Sequence, residues 1–150
     1  MADKPKFLIV EARFYEDLAD ELALGAEEAF AALGVECEKL TVPGALEIPA
    51  AIAFAAAAVE EGTHGYCGYV ALGCVIRGET SHYDYVCGES ARGLQTLALE
   101  GGLCIGNGIL TVENGDQAWA RAARDKKNKG KDAAEAAHRM WEIRNQFETV

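Results

Sequence analysis

Short apolar runs alternate with stretches of helical periodicity along this chain, and that alternation restricts the fold more than any other feature. Residues 7–10 form a short apolar run and read as a buried strand. Phe14, Leu18, Leu22, Ala26, Phe30 and Leu33 then recur at helical spacing, and Gly34 ends the helix. Residues 35–42 alternate in polarity as a second strand. Pro43-Gly44 breaks it, and Pro49 falls in the first turn of an Ala-rich helix running to about Glu60. Residues 69–76 are a third strand, Gly78 breaks it, and a helix follows over residues 82–99. Gly101-Gly102 leads into a fourth strand over residues 103–110, and a short helix covers residues 116–124. After a Lys-rich turn with Gly130, the last helix carries Ala136, Met140, Ile143 and Phe147 on one face.

Strict alternation of strand and helix predicts an α/β fold with a parallel sheet and helices on both faces. Right-handed crossovers make it an open, doubly wound four-stranded sheet, and the order expected is 2-1-3-4, as in flavodoxin-like folds. A length of 150 residues suits one domain over residues 1–150 with a single core. In such sheets ligands bind beyond the carboxyl ends of the strands, at the switch point between the first and third. Arg13 and Phe14 fall there, with residues 77–82, and residues 43–47 lie beside them.

Charge and composition remove several classes of function. A formal net charge of −10 argues against nucleic acid as a partner. A phosphorylated ligand would need a local cationic pocket. No apolar run is long enough to span a bilayer; residues 48–59 are too short and read as a buried helix. The charged start, residues 1–6, runs straight into the first strand and does not read as a signal peptide. No membrane partner and a cytoplasmic location are therefore expected. The five cysteines, Cys37, Cys67, Cys74, Cys87 and Cys104, include no CxxC pair, and their number is odd. Buried, reduced thiols are expected, rather than a disulfide framework or a zinc site. No metal constellation stands out, and neither GxGxxG nor a Walker loop is present.

The segment GETSHYD, residues 78–84, is the richest in chemistry. Gly78 allows a tight turn, and Ser81 with Asp84 has the pattern of a capping box that starts the helix at His82. Backbone amides at a helix start attract anions, and Thr80 and Ser81 add hydroxyls. An imidazole at the pocket edge is suited to proton transfer near neutral pH; the alternative is an incidental surface histidine. Glu79 would repel an anion unless it turned outward. Arg77 and Arg121 are either phosphate clamps or solvated arginines. Phe14 either stacks on a flat heterocycle or fills the core. Glu47 either accepts hydrogen bonds from a polyol or favours the start of its own helix. His64 and His138 read as structural or solvent-facing. The basic run of residues 125–131 reads as a solvated turn, with a phosphate role left open by its nearness to Arg121.

Together these motifs resemble the lumazine synthase family. The matching pieces are Arg13-Phe14, VPGALEIPAA (residues 42–51), LGCVIRGETSHYDYVCGESARGL (72–94), GILTVEN (108–114), QAWARA (117–122) and NKG (128–130). The resemblance implies condensation of 5-amino-6-ribitylaminouracil with 3,4-dihydroxy-2-butanone 4-phosphate to 6,7-dimethyl-8-ribityllumazine. Neither cofactor nor metal is implied. It makes Phe14 the residue that stacks on the pyrimidine. Ala45, Leu46 and Glu47 would hold the ribityl chain, and Val75 and Ile76 would contact the ring. Gly78, Glu79 and Thr80 would form the phosphate-side loop, His82 would transfer protons, Arg121 would bind the phosphate and Lys129 would lie near the pocket, these last two coming from a neighbouring subunit. Many members carry an aromatic residue where this chain has Asn107, and a small residue where it has Glu79. A homo-oligomer is implied, a pentamer rather than an icosahedral 60-mer, because residues 123–128 lack the glycines of the shell-type turn and concentrate cations. Riboflavin synthase is implied as a partner. The competing expectations are a non-catalytic flavin or lumazine binder, a flavodoxin-like electron carrier and a structural shell protein.

Overall fold

A computed structural model describes residues 4–148; the first part of the charged start, residues 1–3, lies outside the described residues. The chain runs β1 (Lys6–Ala12), α1 (Glu16–Ala32), β2 (Glu36–Val42), a 3-10 turn (Ala45–Glu47), α2 (Ile48–Glu60), β3 (Tyr66–Ile76), α3 (His82–Gly101), β4 (Ile105–Val112), α4 (Gly115–Ala122) and α5 (Lys129–Glu148). The four strands form one parallel sheet in the order β2-β1-β3-β4, as expected. Central β1 and β3 are buried over most of their length, whereas edge strand β2 is mostly exposed. That difference explains why β1 reads as a continuous apolar run and β2 as an alternating one.

Side chains alternate between the two faces of the sheet and create two cores, one on each face, where the length alone suggested a single one. On one face Phe7, Ile9, Val70 and Leu72 pack against Leu22, Ala26 and Phe30 of α1 and against alanines of α4 and α5. Phe7 stacks on Phe30 with ring centroids 4.9 Å apart. On the other face Leu8, Val10, Tyr69 and Ala71 meet Ile48 and Ile52 of α2 and Val86 and Leu94 of α3. Gly34, at φ +75°, takes the left-handed conformation just past the end of α1.

Four more expectations need correction. The stripe Ala136, Met140, Ile143 and Phe147 of α5 does not face the core; Ala133, Ala134 and Ala137 do, and Phe147 is 85% exposed. Small residues win that contact because α5 lies against other backbones: a Cβ at Gly130 would stand 2.1 Å from the Leu22 carbonyl oxygen. α2 is only partly buried, with Ile48 and Ile52 inward and Phe54 left 74% exposed. Of the five free cysteines only Cys104 is buried; the other four are half-buried. The missing glycines of residues 123–128 do not keep that stretch from reaching positive φ. Among the described residues Asn128 is the one non-glycine with positive φ, at 49°, and asparagine tolerates that region.

Candidate active site

A cavity of about 380 Å³ opens beyond the carboxyl ends of β1 and β3, at the switch point. Four separate chain segments line it. The loop after β1 supplies Phe14 and Tyr15, and the loop after β2 supplies Pro43 to Glu47. The end of β3 supplies Cys74, Val75 and Ile76, and the start of α3 supplies His82 and Val86. The cavity therefore gathers Phe14, Ala45, Leu46, Glu47, Val75, Ile76 and His82 from the residues singled out in the sequence.

Phe14 belongs to no core. It lies before the first turn of α1, 78% exposed, with its ring edge-on to Tyr15 at 4.8 Å. A ring face left open at a cavity is free to stack on a ligand. Glu47 makes no side-chain cap bond to α2, so its carboxylate is not engaged in holding its own helix. Val86 sits one turn below His82 on the same helix face and is buried, which anchors that end of α3.

The capping box at the start of α3 does not form. Ser81 already has helical backbone angles, φ −76° and ψ 0°, and its side chain makes no cap bond. Thr80 serves instead, its hydroxyl oxygen accepting from the His82 N–H at 3.3 Å. Asp84 turns to Arg77, whose Nη1 lies 3.5 Å from it. Arg77 also donates through Nε to Glu113 at 2.8 Å, and its guanidinium lies 4.2 Å from the centre of the Tyr83 ring. Two carboxylates thus already compensate this guanidinium, and an anion would have to compete with them. Gly78, Glu79 and Thr80 form the exposed turn between β3 and α3, next to the cavity.

Six sequence-predicted residues do not line the cavity of their own chain: Gly78, Glu79 and Thr80 of the turn just described, and Arg121, Lys129 and Asn107. Arg121 lies on α4, in the opposite helical layer, and donates through Nη1 to the Gln117 carbonyl at 3.0 Å. Lys129 opens α5 and pairs with Asp132 at 3.5 Å. Asn107 is exposed on β4, where its Oδ1 accepts from the Ile109 N–H at 2.9 Å. His64 stacks on Tyr66 at 5.8 Å, and His138 packs 5.4 Å from Trp141, as expected for histidines outside a site.

Sequence reasoning missed Tyr15, Val86 and Cys74, besides Ala12 at the end of β1. The first follows Phe14, and the second is four residues after His82 on a helix, so both were accessible in principle. Nothing in the sequence marks Cys74. Burial, and next to it the neighbouring Cys87, push the Cys74 thiol up to about 11, so it stays protonated and is a poor nucleophile. Among the described residues no three of His, Cys, Asp or Glu gather in a way that could hold a metal ion. What remains is an aromatic platform, a carboxylate, apolar walls and an imidazole beside a helix start. That set suits a flat polar ring and a proton transfer.

The sequence model of 6,7-dimethyl-8-ribityllumazine synthase matches residues 4–145. The chain is 55% identical to 6,7-dimethyl-8-ribityllumazine synthase of Bartonella tribocorum, over 98% of this chain and 95% of that one. It is 57% identical to 6,7-dimethyl-8-ribityllumazine synthase 1 of Rhizobium meliloti, over 93% and 92%. It is also 57% identical to the protein of that name from Zymomonas mobilis, over 95% and 98%.

Proposed function

The chain belongs to the 6,7-dimethyl-8-ribityllumazine synthase family, and from that premise we propose that it condenses 5-amino-6-ribitylaminouracil with 3,4-dihydroxy-2-butanone 4-phosphate. An imine forms, phosphate leaves, and ring closure with loss of water yields 6,7-dimethyl-8-ribityllumazine. The activity is that of a transferase in riboflavin biosynthesis. One observation carries the reading: three of the six segments through which the chain resembles the family, Arg13-Phe14, residues 42–51 and residues 72–94, converge on a single cavity at the switch point.

The roles of individual residues are part of the proposal. Phe14 stacks on the pyrimidine, supported by its exposed ring at the cavity mouth. Glu47 accepts hydrogen bonds from the ribityl chain, with Ala45 and Leu46 beside it, supported by their place in the wall. Val75 and Ile76 contact the ring from the end of β3. Gly78, Glu79 and Thr80 receive the phosphate at the start of α3, where free amides favour an anion. His82 moves protons during imine formation and phosphate loss. Arg121 and Lys129 supply positive charge to a neighbouring subunit's cavity; their absence from their own supports this. Asn107 contacts ligand across the same interface.

Family membership carries an oligomer with it, and the uncovered apolar side of α2 around Phe54 is in keeping with one. We infer a homopentamer, since head-to-tail completion of each site closes in a ring. Against growth to a 60-mer stand Lys126 and Lys127, both exposed in the turn before α5; symmetry would crowd their charge. Riboflavin synthase is proposed as a partner on the shared biosynthetic route, and a cytoplasmic location on the strength of five free cysteines. Among the described residues no helix is long and apolar enough to cross a membrane. Fluorescence detection of lumazine from the two substrates tests the activity; purified protein that forms none overturns it. Light scattering tests the assembly, and a particle of roughly sixty copies overturns the pentamer.

A further inference from the structure

At the carboxyl end of β1 the chain buries a carboxylate that the proposed chemistry does not use. Glu11 is 2% exposed and points toward the layer of α1. Removing a carboxylate from water is strongly unfavourable unless partners replace the water. Here both oxygens are matched. Oε1 accepts from Arg13 Nη1 at 2.9 Å, and Oε2 accepts from the Thr41 hydroxyl at 2.8 Å. Arg13 continues the network through Nε to Glu16 at 3.0 Å and through Nη2 to Asp20, both on α1.

The position of this cluster matters more than its strength. Arg13 immediately precedes Phe14, and Thr41 stands at the end of β2, just before the 43–47 segment. Both cavity walls that carry the stacking ring and the polyol acceptor therefore depart from residues bound to one carboxylate. β1 and β2 pair side by side, Glu11 opposite Thr41 in register, so the network spans the two strand ends directly. The His82 side of the cavity springs from β3 and α3, which these bonds do not touch.

We propose that Glu11 is a positioning residue: through Arg13 and Thr41 it holds the Phe14 wall and the 43–47 wall at the spacing the ribitylaminopyrimidine needs. This rests on the proposed lumazine-forming activity. Loosening the network should weaken capture of the pyrimidine and leave the sugar phosphate and the chemical step nearly untouched.

Thr41→Val keeps the side-chain shape and the Glu11–Arg13 pair while removing one tether. Its KM for the pyrimidine should rise about three- to tenfold, the worth of one such hydrogen bond. The KM for the butanone phosphate and kcat should stay within about twofold, since neither draws on that bond. Glu11→Ala should raise the pyrimidine KM further, and Glu11→Gln, which can still accept from Arg13 and pair with Thr41, should restore it toward wild type. Fluorescence titration with 6,7-dimethyl-8-ribityllumazine gives the same ranking without turnover. Wild-type parameters in Thr41→Val, or an equal rise in both KM values, overturns the positioning role, as does a lowered urea midpoint with no KM split. A wild-type protein that neither binds nor forms lumazine overturns the proposed function, and the inference with it.

Discussion

Replacing Gly130 by alanine adds one methyl group where α5 lies close against α1. The new Cβ would stand 2.1 Å from the Leu22 carbonyl oxygen and 2.9 Å from its carbon. Ordinary van der Waals contact begins at 3.4 Å, so the two backbones must part by roughly 1.3 Å. Neither yields easily. Leu22 is fully buried in α1, and α5 is held by Ala133, Ala134 and Ala137. Overpacking costs about 1–3 kcal/mol, and a clash against backbone belongs at the upper end. Alanine returns up to about 1 kcal/mol of helix propensity, leaving a net loss of about 2 kcal/mol. Gly115→Ala is the control, since Gly115 also begins a helix but no atom lies within 4 Å of its added Cβ. Urea unfolding followed by circular dichroism, at one protomer concentration, should place the two variants about 2–3 kcal/mol apart. Lys129 is the neighbouring residue, so Gly130→Ala should also raise the KM for the phosphorylated substrate. Variants that unfold within about 0.5 kcal/mol of each other would refute the close crossing.

Four further outcomes are expected. His82→Ala should slow turnover about a hundred- to ten-thousandfold and leave substrate binding largely intact, with residual condensation from proximity alone; wild-type turnover across neutral pH speaks against the role. Arg121→Ala should raise the KM for the phosphorylated substrate selectively, and Arg121→Lys should rescue poorly for want of a guanidinium fork; equal effects on both substrates count against it. The Arg124 backbone N–H and then its guanidinium hold the Glu21 carboxyl below its ordinary value, so that stabilisation is full above the ordinary carboxyl range and is lost as pH falls through the depressed value. Glu21→Gln should therefore cost about 1 kcal/mol near neutrality, and the cost should shrink steadily as the pH is lowered below the ordinary carboxyl range; a loss that does not change with pH, read from urea midpoints, contradicts this. Dialysis against a chelator should leave lumazine formation unchanged, and loss reversed by a divalent cation would show a metal requirement.

Much of the molecule is legible in its amino-acid order. The alternation of apolar runs with helical periods is enough for an open parallel sheet, because parallel strands need long crossovers and crossovers have one hand; the order 2-1-3-4 rests on likeness to flavodoxin-like folds. That layout locates the cavity, since residues following β1, β2 and β3 must meet at the switch point. Phe14, Glu47 and His82 follow from it.

The tertiary structure decided which neighbour each side chain took. Periodicity on α5 marks an apolar stripe through Met140 and Phe147, but the sheet took the alanine face, because only small residues allow backbones within reach of Leu22. Sequence spacing offers Ser81 to Asp84 as a cap. Asp84 instead meets Arg77, which is itself drawn to Glu113 from the end of β4. Glu11 falls just past the apolar run of residues 7–10 with no local signal, and only the folded chain brings Arg13 and Thr41 onto its two oxygens. Periodicity reports that a face is apolar and local spacing that a bond is feasible. Competition among groups far apart in the chain settles what covers the face and which bond is made, and folding alone brings those competitors together.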